Sequence, residues 1–86
     1  MNPTEELLKN FDFRKENGTC FAPECKNEAT HKIIIKEVNL RLKSEKELAE
    51  VKLCENHTPM IKSITKDLNE ELAGNFIVFR FEMKPI

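Results

Sequence analysis

Apolar positions along the chain fall into five blocks, and their spacing predicts an element for each. In the first, Leu7, Leu8 and Phe11 share one face of a short helix over about residues 3–10, with Asn2 as cap, Pro3 at the first helical position and Glu5 and Glu6 in the first turn. A helix this short forms only by docking that face on the rest of the protein. The run THKIIIKEV, Thr30 to Val38, is rich in β-branched residues and predicts a strand. Its triple Ile33-Ile34-Ile35 puts apolar groups on both faces, so helix packing is expected on one side and partial cover on the other. Further on, Ser44 and Glu47 have the spacing of a capping box, whereas Ala49, Val51 and Leu53 alternate with Glu50 and Lys52 as a half-buried strand does. The strand, about residues 48–53, is preferred, because an antiparallel return of the Ile strand brings Cys54 back beside Cys25. The hairpin tip then falls near Lys43-Ser44-Glu45-Lys46.

A longer helix follows, with Thr58 expected as its cap and Pro59 at the first helical position. Met60, Ile61, Ile64, Leu68 and Leu72 form its apolar stripe, Lys62, Lys66, Asp67, Glu70 and Glu71 its polar face, and Gly74-Asn75 its stop. A stripe at this spacing is assigned to the core. In the closing run FIVFRFEMKPI, Ile77, Phe79, Phe81 and Met83 alternate with Val78, Arg80 and Glu82, predicting a terminal strand that completes the hairpin's sheet and packs its apolar face on the long helix. The fold class is therefore α+β, with residues 1–86 forming a single domain. A terminal strand tends to lie at a sheet edge, and residual apolar cover there invites pairing, so a protein partner or a homodimer through this strand is expected.

Composition sharpens the picture. The 86 residues are 40% apolar and 34% charged, too apolar for a disordered tail, and no run approaches the ~18 apolar residues of a membrane span. A chain this short has a marginal core and calls for a metal or disulfide staple. Fourteen Lys and Arg against 15 Asp and Glu give −1, which excludes a uniformly basic nucleic-acid coat and a polybasic membrane anchor. Residues 26–53 are locally +2, with seven basic and five acidic groups, so Lys32, Lys36, Arg41, Lys43, Lys46 and Lys52 keep a nucleic-acid-binding hairpin as the alternative function. Those cations alternate with Glu37, Glu45, Glu47 and Glu50, as on a solvated hairpin. The opening MNPTEELLKN has acidic residues where an export signal has a basic segment and an apolar stretch, so a cytoplasmic protein is expected.

The odd number of cysteines, Cys20, Cys25 and Cys54, fits a disulfide framework poorly in that setting. Cys20-x4-Cys25 and Cys54-x2-His57 are instead two chelating pairs, and zinc favours four tetrahedral thiolate and imidazole donors presented in this way. Pro23 stiffens the first loop, and Asn27 is a residue type that tolerates a left-handed backbone there. The second pair straddles a helix start, where the dipole favours thiolate. A metal-free alternative has a buried Cys54 and a surface His57. His31 is a second candidate for the histidine ligand, but it lies on the predicted strand and is assigned a supporting role. Three thiolates and one Zn²⁺ carry a charge of about −1, for Lys26 or His31 to offset.

The segments CFAPEC, KNEATHKI and VKLCENH, the last opening a helix, resemble the treble-clef class of zinc domains, notably small single-domain proteins of archaea, bacteria and their viruses. The resemblance covers residues 20–73 and implies a zinc knuckle bearing Cys20 and Cys25, a β-hairpin, and a helix whose first turn supplies Cys54 and His57. The first pair has four intervening residues where two are commoner in the class, and no Gly follows Cys25, so a looser knuckle is expected.

Enzymatic readings fare worse. Four protein ligands leave no open position for water. Neither histidine begins the H-x-E of a nucleotide deaminase, and Gly18 and Gly74, the only glycines, make no phosphate loop. Were His31 a nuclease base, no further histidine would remain for a catalytic metal once His57 is committed to zinc. The expected function is a non-enzymatic protein-interaction or scaffold module with structural zinc.

Overall fold

The computed structural model describes residues 3–86. Its elements run α1 (Pro3–Leu8), β1 (His31–Asn39), β2 (Ser44–Leu53), α2 (Thr58–Glu71) and β3 (Ile77–Pro85). The strands form one antiparallel sheet in the order β2-β1-β3, so the α+β class and the third strand are as expected, with the Ile strand at the centre.

One sheet face carries the core. Ile33 and Ile35 of β1, Val51 and Leu53 of β2 and Phe79 of β3 are buried against Ile61 and Leu68 of α2 and against Leu7 and Phe11 of the N-terminal segment. Met60, Ile64 and Leu72 pack at its margin, which places the α2 stripe in the core. On the other face Ile34 is half-buried among ion pairs: Lys36 Nζ lies 3.1 Å from Glu45 and 3.0 Å from Glu82, and Lys32 Nζ 3.6 Å from Glu50.

The element ends depart from the sequence pattern for local reasons. The Asn2 cap lies outside the described residues. Helix α1 stops at Leu8, two residues early, where the Asn10 side-chain amide donates to the carbonyls of Glu6 (3.0 Å) and Leu7 (3.2 Å). Strand β2 begins at Ser44 rather than near 48, so the Ser44-Glu47 capping box does not form. Asn39 Oδ1 decides this by accepting from the N–H groups of Arg41 (3.1 Å) and Leu42 (3.0 Å), which turns the chain directly after β1. Lys43, at φ 54°, completes the reversal, and Asn39 pairs with Ser44. A register shift between Ile35 and Lys36 absorbs Leu48 as the extra residue of β2.

At the start of α2 the cap position belongs to His57, not Thr58. Thr58 and Pro59 both lie in the first turn, one position too late for Thr58 to cap, and the Thr58 hydroxyl donates back to the Glu55 carbonyl at 3.1 Å. At the other end Gly74 takes φ 93°, the left-handed conformation expected of the stop. Strand β3 is tied to α2 through one side chain: Phe79 N–H donates to Asn69 Oδ1 (2.8 Å) and Asn69 Nδ2 donates to the Phe79 carbonyl (3.1 Å).

Candidate metal centre

The first chelating pair is shaped by a small hairpin of its own. Gly18, at φ 90°, turns the chain; Thr19 bridges Glu28, and Cys20 N–H donates to the Asn27 carbonyl at 2.9 Å. Inside this loop Cys25 N–H donates to the Ala22 carbonyl at 3.1 Å, with Pro23 second and Glu24, at φ 63°, third, the arrangement of a type II turn. The left-handed residue is thus Glu24 and not Asn27, because the four-residue spacing places the reversal within the loop before Cys25.

The second pair follows β2 directly. The Cys54 carbonyl accepts from the N–H groups of His57 and Thr58, both at 3.0 Å, which brings His57 back over Cys54 as α2 begins. Main-chain bonds join the two pairs at one end of the sheet: Phe21 N–H to the Lys52 carbonyl (2.7 Å) and Thr30 N–H to the Leu53 carbonyl (3.0 Å). The N-terminal segment closes over them. Asp12 N–H donates to the Phe21 carbonyl (2.8 Å), and the Phe13 ring meets Phe11 and Phe21 edge-on at 6.4 and 5.7 Å.

As a result the Sγ atoms of Cys20, Cys25 and Cys54 and a ring nitrogen of His57 all lie within 4.8 Å of one another. The three cysteines are buried free thiols and His57 is half-buried. A zinc tetrahedron with Zn–S of about 2.3 Å and Zn–N of about 2.0–2.1 Å has S···S edges near 3.8 Å and S···N edges near 3.6 Å. Here Cys25 Sγ lies 3.8 Å from Cys54 Sγ, Cys20 Sγ 3.7 Å from His57 Nδ1, and Cys54 Sγ 3.1 Å from His57 Nδ1. The donor set is compatible with a zinc site, two of these edges match the tetrahedron while the Cys54–His57 edge is shorter than it requires, and the sulfur separation is far beyond a ~2.05 Å disulfide bond.

The thiols differ electrostatically. Burial pushes the Cys20 thiol up. At Cys54 burial also opposes ionisation, but hydrogen bonds from His57 and Asn27, with a further one from Cys20, outweigh it and bring the thiol down to about 6.

Of the other residues singled out by sequence, His31 stands apart from the cluster, its Nδ1 2.8 Å from Thr30 Oγ1. Lys15 is the residue the sequence did not disclose: its ammonium donates to the Cys25 carbonyl, placing a cation beside the Cys20–Cys25 loop. Ten positions separate it from Cys25 in a stretch without periodicity, so no sequence signal marks it. Asn27 acts through its side chain, Nδ2 lying 3.7 Å from Cys54 Sγ. Outer-shell donors of this kind typically alter metal affinity ~10–100-fold, so Asn27→Ala is expected to weaken zinc binding by about tenfold while the circular dichroism of the loaded protein is retained. Chelator-competition titration of both proteins checks this.

Comparison of the chain with protein-family models, with curated proteins and with solved structures gives no match, which leaves the four clustered side chains and their surroundings as the ground for function.

Proposed function

We propose that the chain is a treble-clef-type protein-interaction or scaffold module in which Cys20, Cys25, Cys54 and His57 hold one structural Zn²⁺. The observation that carries this is the convergence of four soft and borderline donors within 4.8 Å, three of them buried sulfurs. Four protein donors fill a tetrahedral shell, which supports a non-enzymatic role. The order of knuckle, hairpin and helix, with the last two donors at the helix start, supports the treble-clef assignment. Three free thiols suit a reducing compartment such as the cytoplasm, and among the described residues no helix is long and apolar enough to cross a membrane. Native mass spectrometry of protein purified without added metal is the test: one zinc per chain is expected, and a metal-free folded chain overturns the reading.

Nucleic-acid binding is the less favoured function because the hairpin cations alternate with Glu37, Glu45, Glu47 and Glu50 and two of the six are ion-paired. Lys32 and Lys36 pair with carboxylates, Lys52 donates to Asn17 Oδ1 at 3.0 Å, and the Arg41 guanidinium lies over the Phe76 ring, 5.6 Å from its centroid. Binding to mixed DNA and RNA pools is therefore expected to be absent at physiological salt, and Arg41→Ala with Lys43→Ala to change nothing. Tight binding that falls steeply with salt, with a slope reduced by those two substitutions, would reverse the order of the two readings.

A further inference from the structure

We propose that the groove between α2 and the outer edge of β3 binds an extended acidic segment of a partner protein, which adds to the sheet as a fourth strand. This deepens the interaction-module reading and rests on it.

The argument begins with the free main chain of β3. At its two ends Leu40 N–H donates to the Phe76 carbonyl (2.6 Å) and Ile86 N–H to the Thr30 carbonyl (3.0 Å), both in the register of the β1–β3 ladder. Antiparallel alternation then turns the even-numbered residues of this stretch toward β1 and the odd-numbered ones, Ile77 to Pro85, outward. The outward pair of Phe79 is met by the Asn69 amide, one donor and one acceptor, as a neighbouring strand would meet it. The outward N–H and C=O of Phe81 and Met83 have no protein partner among the described residues. Pro85 has no N–H to offer, so the open edge is a short one, bounded by Asn69 at one end and Pro85 at the other.

Beside this edge lies a groove of about 720 Å³. Phe79 and Phe81 supply apolar surface, and α2 forms the opposite wall. On the α2 side its charged lining is Lys62 and Lys66 against Glu70, and on the opposite face of the sheet the same edge carries Arg80 and Lys84 against Glu82. That excess of cations selects the occupant. A second copy would bring the same excess of cations to the same seam, whereas an acidic strand complements it: its side chains on the α2 side meet Phe79, Phe81 and the two lysines, and those on the other side meet Arg80 and Lys84.

Selection of short random displayed peptides on the zinc-loaded protein tests the proposal. The enriched peptides are expected to be net acidic and to carry apolar residues. Titration of a synthetic copy into isotope-labelled protein should shift the Phe81 and Met83 amides and slow their hydrogen exchange by about tenfold or more. Lys62→Glu with Lys66→Glu should weaken that peptide by about tenfold or more at unchanged zinc content and melting temperature. Met83→Pro, which removes an N–H that β1 does not use, should also abolish binding. Selected peptides that map elsewhere, or whose affinity survives the Lys62/Lys66 exchange, overturn the groove but leave the interaction module intact. Selection that yields no peptide overturns the groove as well. So does protection of the Phe81 and Met83 amides in a peptide-free dimer at micromolar concentration, which assigns the edge to a second copy.

Discussion

Cys54→Ser is expected to abolish the cooperative unfolding transition, and a strong chelator to do the same to the unaltered chain. A domain of 86 residues has a net stability of roughly 4–13 kcal/mol. Structural zinc contributes about 10–16 kcal/mol in zinc-finger peptides, as much as or more than that whole margin. Cys54 is the most connected of the four donors, with Cys25 Sγ at 3.8 Å, His57 Nδ1 at 3.1 Å and Asn27 Nδ2 at 3.7 Å around its sulfur. Serine leaves one position of the tetrahedron without a thiolate and the remaining buried thiols without a closed shell. Thermal melts followed by circular dichroism, with and without chelator, provide the measurement. His31→Ala is the control, since His31 stands apart from the cluster and its loss should change stability by less than about 1 kcal/mol at full zinc occupancy. A chain that melts cooperatively without metal would show that the apolar core suffices, and the four side chains would lose their structural role.

The cluster was legible in the sequence because each half is local. Two donors five or three positions apart bring their own proximity, and an antiparallel hairpin between the pairs is enough to join them. What decided the element ends was competition for individual polar groups, which spacing does not reveal. Thr58 lost its capping role because the Cys54 carbonyl takes the N–H groups of both His57 and Thr58 and starts the helix one residue earlier, and β2 gained four residues because Asn39 Oδ1 turns the chain earlier than Ser44 would. Glu24 took the left-handed position expected of Asn27 because the turn formed inside the loop. The remaining surprises are tertiary. Lys15 reaches the Cys25 carbonyl, and Asn69 occupies the outward pair of Phe79, only after distant segments have met.

The second large effect separates two neighbouring isoleucines. Ile33→Ala should destabilise the zinc-loaded protein by about 2–5 kcal/mol, whereas Ile34→Ala should cost less than about 1.5 kcal/mol. Both lie on the central strand, are identical in size and share the same ladder, so propensity and hydrogen bonding cancel in the comparison. They differ in face. Ile33 is fully buried opposite Val51 and Met83, while Ile34 is half-buried between Glu50 and Glu82 on the ion-paired side. Truncating Ile33 leaves a cavity in a core that cannot collapse around it without moving the sheet, because Ile35, Leu53 and Ile61 around the same cluster are also fully buried. Truncating Ile34 removes surface that water already reaches in part. Denaturant titrations at saturating zinc measure the difference as a shift in midpoint at constant slope. Reversed costs would place β1 one residue out of register, since a single-residue slip exchanges the two faces of a strand. Equal and large costs would mean that the ion-paired face is itself covered in solution, and the partner surface would then lie on that face instead of at the β3 edge.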